Sequence, residues 1–431
     1  MVRQKIAPEG QVLSRLEVAD FVRSVCPPED YRDKKVLLIV PDGTRTAPVE
    51  QIFLPLFETL GPVTKQFDVL VALGTHPPMS EEAICHRLGI PPAERSTRFG
   101  KVRFFNHAWD DPNAVVEVGR LTKDEVHALT RGLFAIDVPV DINRLLLDYD
   151  VVLIIGPVFP HEVVGFSGGN KYLFPGVSGP KILNFFHWLG AVITAPRIIG
   201  YRETPVRDVI DRSAALVPTP KQAFCMVVEG EGLAGLFFGT PEEAWDGASR
   251  LSEQKHIVYK DRPYHLILSC APKMYDDLWT GAKCMYKLEP VLADGGELII
   301  YAPHIKEVSV THGRLIEEIG YHCRDFFLKQ WDRYKNYPWG VLAHSTHVYG
   351  QGTFDGTVET PRARVTLATG IPEEVCRKIN LGYRDPNSIR IEEFQNREEE
   401  GILYVPKAGE ILYRLKNPPA WALPWNAEVK Q

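Results

Sequence analysis

Short apolar runs rich in β-branched residues recur along the chain, each ending abruptly in Gly, Pro or His. They are Lys35–Val40, Phe67–Leu73, Val151–Ile155, His265–Ser269 and Glu297–Tyr301. None keeps a regular apolar/polar alternation, so each reads as a strand covered on both faces, as in a parallel sheet flanked by helices. Helical patterns lie between them. Val18, Phe21, Val22 and Val25 share one face of a helix predicted over Leu16–Val25. Ser80 reads as an N-cap, with Glu81 and Glu82 in the first turn of a helix that ends at Gly89. Strands alternating with helices predict a doubly wound α/β protein.

Two α/β domains are expected, each with a parallel-type sheet flanked by helices. The first covers residues 1–258 and holds nearly all the unusual loops; the second covers 259–406. The polar stretch Ser252–Asp261 is the natural linker. The tail, 407–431, is expected to return to the first domain, because Trp421 and Trp425 need burial. No internal repeat or low-complexity tract is evident.

Composition narrows the function. Of 431 residues, 45 % are hydrophobic and 24 % charged, a globular balance that excludes disorder as a description of the whole. A net charge of −6 leaves no basic excess for neutralising nucleic-acid phosphates. No apolar run reaches the roughly 18–20 residues of a membrane span. The start, MVRQKIAPEGQ, lacks the apolar core of a secretory signal, so a cytoplasmic protein is expected. The seven cysteines include no CxxC pair, which predicts free, buried, non-catalytic thiols.

Ligands of open α/β sheets sit beyond the carboxyl ends of the strands, which selects the loops to read. The first strand runs into PDGTRTAP, with Asp42 and Arg45; the second into GTHPP, with His76. A third precedes His161 and Lys171, and the second domain's first strand precedes Lys273 and Lys283. Each signal has an ordinary competitor. Asp-Gly-Thr after a strand is in general a turn whose Asp caps the backbone, and a histidine before Pro-Pro is commonly a surface residue. The run Gly165-Phe166-Ser167-Gly168-Gly169-Asn170-Lys171 is harder to dismiss, since clustered backbone N–H groups beside a lysine suit a phosphate or other anion. It is not a Walker A loop, because Asn170 and Tyr172 stand where Gly and Ser or Thr are required. No GxGxxG opens a helix either. A phosphate-bearing cofactor in an uncommon loop is expected.

Taken together, Asp42-x-x-Arg45, Gly74-Thr75-His76, His161 through Lys171, and Asn184-x-x-His187 resemble the lactate racemase family. The ten-residue spacing from His161 to Lys171 and the sixteen from Lys171 to His187 make the likeness specific. The resemblance implies racemisation or epimerisation of a 2-hydroxy acid, lactate-like or a larger sugar acid. It implies hydride transfer to and from a nickel-pincer nucleotide, Ni(II) pyridinium-3-thioamide-5-thiocarboxylic acid mononucleotide, through a 2-keto acid. Lys171 would bond covalently to that cofactor, and His187 would ligate nickel, a metal whose planar preference suits imidazole. Ser167, Gly168, Gly169 and Asn170 would line its phosphate. His76 and His161 would be the paired acid/base residues, one for each enantiomer, with Asp42 and Arg45 beside them. Arg45 and Lys283 would neutralise the substrate carboxylate. The partners implied are a small 2-hydroxy acid and the cofactor's biosynthetic enzymes, with neither nucleic acid nor membrane. The site is expected in the cleft between the domains, the second closing over the substrate.

Departures bear on the substrate. Trp279 and Thr280 stand where Tyr-Gln is expected in lactate racemases, which points to a reshaped pocket for a different 2-hydroxy acid. His344, His347 and Tyr349 could meet such a substrate, although ordinary loop histidines are the readier explanation. The aromatic run Asp325–Tyr337 reads as packing. The alternative function is a phosphate- or anion-binding α/β protein without redox chemistry.

Overall fold

The computed structural model describes residues 2–426, and residues 427–431 of the expected tail lie outside it. The chain divides into two compact units, and the division is not a single cut near residue 258. The first unit comprises Met1–Phe159, Phe166–Leu183 and Arg207–Lys255; the second comprises Pro160–Gly165, Asn184–Val206 and His256–Gln431. Two short excursions from the first half of the sequence therefore belong to the second unit. Among the described residues no helix is long and apolar enough to cross a membrane.

The first unit is built on strands β1 (Arg3–Ile6), β2 (Lys35–Pro41), β3 (Gln66–Ala72), β4 (Phe104–Asn106), β5 (Val151–Pro157), β6 (Lys221–Glu229) and β7 (Gly232–Gly239). Their order across the sheet is β1-β7-β6-β5-β2-β3-β4. The five from β6 to β4 are mutually parallel, and β7 and β1 add an antiparallel edge. Val36, Leu38 and Val40 of β2 enter a core with α1 (Arg15–Val25) and α2 (Glu50–Leu60), while Leu37 and Ile39 on the other face are equally buried. Burial on both faces is the reason β2 reads as a continuous apolar run. Helix α1 starts on a capping box, Ser14 with Glu17, and α3 (Glu81–Leu88) starts on Ser80 and stops at Gly89, whose φ of 68° suits glycine.

The second unit has a five-stranded parallel sheet. Its strands are β9 (Tyr264–Cys270), β10 (Leu292–Ala302), β11 (Arg364–Thr369), β12 (Gly382–Tyr383) and β13 (Ile402–Val405), in the order β12-β11-β10-β9-β13. A separate ladder joins β8 (Ile257–Lys260) to β14 (Leu412–Leu415). That ladder, with the contacts of Arg197 and Tyr201, sets the tail against residues of the sequence before 259, which here belong to the second unit. The tail's backbone finds its partner in β8, and Trp421 and Trp425 lie under the guanidinium groups of Arg362 and Arg197, 4.1 and 4.6 Å from their ring centroids. All of these residues belong to the second unit. The seven cysteines are buried and free.

One buried charge ties the first sheet together. Asp68 of β3 has no exposed surface and accepts from Arg103 N (2.9 Å), Arg103 Nη2 (2.7 Å) and the Tyr149 hydroxyl (2.5 Å). Asp68→Ala strips all of these donors of their acceptor at once. It should lower unfolding free energy by about 3 kcal/mol, the scale of losing one or two hydrogen bonds to a charged group. Denaturant unfolding measures this, and a loss below about 1 kcal/mol would show that the cluster is incidental.

Candidate active site

In the first unit, β2 is flanked by β3 on one side and β5 on the other, and the chain winds outward from there in both directions. This is the switch point at which doubly wound sheets bind ligands. The loops that leave β2, β3 and β5 there carry Asp42 and Arg45, His76, and the turn Ser167–Tyr172.

Asp42 is 8 % exposed and fully engaged. Its Oδ1 accepts from Thr44 N (3.1 Å) and Thr44 Oγ1 (2.7 Å), and its Oδ2 lies 2.5 Å from His76 Nδ1. Burial alone would raise this carboxyl's pKa, but the His76 ring and the Thr44 donors together hold it well below the usual carboxylate range. With Nδ1 committed to Asp42, His76 presents Nε2 as its working nitrogen. This is the orienter-and-base arrangement of hydrolytic triads.

The glycine-rich turn is braced by bonds to its surroundings. Ser167 N donates to Phe159 O (2.8 Å), its Oγ accepts from Phe159 N (2.9 Å), and its carbonyl accepts from Trp245 Nε1 (3.0 Å). Gly168 and Gly169 have φ of 89° and 56°, and a Cβ at either would lie 2.5 Å from Val158 Cγ2 or 2.8 Å from Pro241 O. Both conformation and space therefore demand glycine. Asn170 donates to Asp211 (2.9 Å) and Glu242 (2.6 Å). All four residues are buried; the Ser167 hydroxyl and the Asn170 amide nitrogen hold the turn, while Asn170 Oδ1 has no hydrogen-bond partner among the described residues. What the turn delivers is Lys171, half-buried, and Tyr172. The Tyr172 ring lies against Gly156 of β5, where a Cβ would come within 1.9 Å of it. Burial foremost raises the Tyr172 phenol, and Arg45 and Asp42 are among the charges it feels. Tyr172 thus joins the loops after β2 and β5. The sequence reading passed over it, although it adjoins the singled-out lysine.

The remaining candidates lie in the second unit. His161 is buried, with the Val163 N–H donating to Nδ1 at 3.2 Å and a Glu162 oxygen 3.3 Å from the same nitrogen. A neutral ring accepts the amide there; a protonated ring offers Nδ1–H to Glu162. His187 sits on α4 (Pro180–Ile193), half-buried, its ring 4.7 Å from that of Phe186. His344, His347 and Tyr349, expected as loop residues, lie instead on α5 (Trp339–Tyr349), whose residues 341–349 are all buried. Asn184 Oδ1, one turn before His187, accepts from Gly340 N in the first turn of α5 (2.8 Å) and so ties the two helices. Burial lowers His347 to about 4, with Glu162 opposing and His187 adding to the shift. It lowers His344 further, with His347, His312 and His187 contributing. Both rings are uncharged at neutral pH.

Trp279 stacks on His344 at 3.9 Å and lies 4.5 Å from His312. Thr280 is spent on local structure: its N and Oγ1 both bond Asp277 Oδ1, at 2.9 Å each, closing the cap of a short helix. Lys283 is 7 % exposed, its Nζ 4.7 Å above the Tyr275 ring. Among the described residues no three His, Cys, Asp or Glu side chains converge to hold a metal.

Residues 29–197 match the family profile described as the lactate racemase N-terminal domain. That segment is thus similar to the N-terminal domain of lactate racemases. The chain is 23 % identical over 275 residues to the lactate racemase of Lactiplantibacillus plantarum, a match covering 62 % of this chain and 59 % of that protein. The chain thus spans less than two thirds of the curated relative's own length. In structure it is similar to a protein from Thermotoga maritima, with 34 % identity and a TM-score of 0.87 over 95 % of this chain and 100 % of that one. It shares its fold with the lactate racemase apoprotein of Thermoanaerobacterium thermosaccharolyticum, at 16 % identity and a TM-score of 0.69, over 94 % of this chain and 95 % of that one.

The depressed Asp42 carboxyl has a consequence for stability. A group whose folded pKa lies below its unfolded value stabilises the fold above the ordinary carboxylate range, about pH 4, and loses that contribution as pH falls toward the folded value. The stability gap between wild type and Asp42→Asn should therefore be open near neutral pH and close as acid is added below about pH 4. Urea unfolding of both proteins across that range checks this, and a gap that widens in acid would refute it. Gly156→Ala should push the Tyr172 ring off β5, at a cost of about 1–3 kcal/mol for overpacking. A thermal midpoint equal to wild type would contradict the close approach.

Proposed function

We propose that this chain is a cytoplasmic 2-hydroxy acid racemase or epimerase that works with a nickel-pincer nucleotide supplied by dedicated biosynthetic enzymes. The observation that carries the proposal is the Asp42–His76 pair at the switch point, with the Lys171–Tyr172 turn held against the same strand ends. Similarity to the lactate racemase N-terminal domain over residues 29–197 supports the reaction class. The residues fit the cofactor in two respects. Lys171 is mounted half-buried on a turn held by buried bonds, and His187 offers an imidazole, a donor that suits nickel. We assign Lys171 as the covalent attachment and His187 as the protein's nickel ligand. Ser167, Gly168, Gly169 and Asn170 serve as the mount for Lys171. The competing anion-binding reading draws on that loop, where the Ser167 hydroxyl and the Asn170 amide nitrogen are bonded within the protein.

When bound, the cofactor supplies nickel and an electrophilic carbon that accepts and returns the C2 hydrogen as hydride. The chain's residues handle the proton and the charge. Loss of hydride from C2 turns the alcohol into a ketone only if the hydroxyl proton leaves with it, which calls for a base. His76 Nε2 takes that proton from one enantiomer, and Asp42 stabilises the imidazolium formed. His161 does the same for the other enantiomer, with Glu162 meeting its Nδ1–H once the ring is charged. Arg45 and Lys283 hold the carboxylate while the planar 2-keto acid turns its other face, and Trp279 supplies an aromatic wall.

Two measurements test these roles. His76→Ala and His161→Ala should each abolish inversion in both directions, because the return step uses the opposite residue. Yet each should slow 2-keto acid formation by about 10²–10⁴-fold from one enantiomer only, and the two variants should affect opposite hands. Stopped-flow spectra with both enantiomers decide it; equal slowing of both half-reactions in either variant would remove that histidine as a base. Lys171→Ala should lose the covalent adduct seen by intact mass in wild type co-produced with the biosynthetic enzymes. Adducts of equal mass in both proteins would place the attachment elsewhere.

A further inference from the structure

Residues 160–165 leave the first part of the sequence to join the second unit, and they carry His161 with them. Contacts along the segment seat it there. Pro160 O accepts from the Nζ of Lys287. Val163 lies against Gly190 of α4, where a Cβ would come 3.0 Å from Val163 Cγ1 and 3.4 Å from its backbone. Gly165 O accepts from Gly200 N (2.9 Å), and a Cβ on Gly165 would lie 1.9 Å from Tyr201 O. The contacts of Val163 and Gly165 follow from the close path of the backbone. The contact of Pro160 is made by a buried ammonium that none of the roles above uses.

Lys287 is 1 % exposed, one of the largest fully buried side chains of the protein. Its Nζ also donates to Glu410 O (3.2 Å), and its own carbonyl accepts from Tyr413 N (2.9 Å). One residue thus joins the segment that bears His161 to the tail strand β14. Taking an ammonium out of water is costly, and an apolar side chain of the same length would fill the space without that cost. What the ammonium adds is a donor aimed at the peptide between Pro160 and His161. That peptide is planar and includes the His161 Cα, so fixing its oxygen fixes where the His161 side chain starts. The Val163 N–H, 3.2 Å from Nδ1, then sets the ring.

The place of Lys287 in the chain adds a second link. It is the C-cap of the short helix Lys283–Tyr286, with φ of −75° and ψ of −17°. Lys283 and Lys287 are four residues apart in helical backbone and so share a face, about 6 Å apart along the axis. Lys283 is the residue assigned above to the substrate carboxylate. A single helical turn therefore carries the cation that holds the substrate and the cation that seats a base.

We infer that Lys287 is a positioning residue for His161: its buried ammonium holds the Pro160–His161 peptide so that the ring meets the hydroxyl of one enantiomer. The inference rests on the racemase reading and on His161 as one of its two bases. It predicts a defect with a hand. A brace that served only the stability of the second unit would affect both enantiomers alike. A brace that aims His161 affects the enantiomer His161 serves and spares the one served by His76.

The test uses Lys287→Met, which keeps the length of the side chain and removes its donors, and Lys287→Gln, which keeps donors on a chain one atom shorter. Protein co-produced with the cofactor enzymes is mixed with each enantiomer in turn, and 2-keto acid formation is followed by stopped flow. Lys287→Met should slow the enantiomer that His161→Ala slows by about 10²-fold, the cost of misplacing a reacting group by about 1 Å. The other enantiomer should react at the wild-type rate. Lys287→Gln should show the same one-handed loss at a smaller size. In cofactor-free protein labelled in the histidine ring nitrogens, the His161 resonances, identified by their loss in His161→Ala, should move in Lys287→Met.

Equal slowing of both enantiomers, slowing of neither, or unmoved His161 resonances would overturn the inference. So would failure of both variants to fold, judged by circular dichroism, which would make Lys287 a structural brace. Where one variant folds, that variant decides. If wild type inverts no acid while the His161 resonances move, the racemase reading falls and the positioning role stands. If wild type inverts acids and Lys287→Met changes neither hand, the racemase reading stands and the positioning role falls.

Discussion

A carboxylate that enters a protein at the end of a buried strand must bring its partners with it, and Asp42 organises the first unit's site through that requirement. It sits where β2 leaves the sheet, 8 % exposed, and its two oxygens claim Thr44 two residues later and His76 from the loop after β3. Removing an ionised carboxylate from water without such partners would be prohibitive. The same contact that makes Asp42 tolerable fixes the tautomer and orientation of His76. Stability and chemistry here draw on one bond.

A second constraint is steric. Gly156 lets the Tyr172 ring lie flat against β5, and Gly168 and Gly169 let the preceding turn cross Val158 and Pro241. These glycines bring Lys171 to the strand ends. Asn170 closes the arrangement from behind by giving its amide hydrogens to Asp211 and Glu242. A glycine-rich run before a lysine is usually read as a cradle for an anion. Here close backbone approach explains every glycine of the turn.

Much of the architecture was legible because it follows from local pattern. Five apolar runs became strands within a few residues of their expected limits, and Ser80 and Gly89 bounded their helix as predicted. Strands β6 and β7 were not foreseen, since KQAFCMVVE and GLAGLFFG mix polar residues and glycine into the apolar run. The division into units was less legible: residues 160–165 and 184–206 join a body formed mostly by sequence beyond 256, a long-range choice that local pattern does not encode. The histidines of α5 were misplaced for a related reason. AHSTHVYG has the polarity of a loop, and only tertiary burial of both faces of the helix makes it an interior element. Among the site residues, Asp42 and His76 were legible singly, but their contact was not. Tyr172, Glu162 and Lys287 gave no signal, because their significance lies in what they pack against.

The central claim is that inversion at C2 proceeds by hydride departure with the proton handled by His76 and His161, and isotope labelling tests it most directly. An enantiopure 2-hydroxy acid carrying deuterium at C2 is incubated in ordinary water with protein co-produced with the cofactor enzymes, and the opposite enantiomer is isolated. Hydride transfer predicts that the product retains its deuterium, because hydrogen held as hydride does not exchange with solvent. Proton abstraction by a histidine would wash the label into water. An inverted product bearing ordinary hydrogen at C2, or no inversion of any 2-hydroxy acid by nickel-loaded protein, would contradict the account.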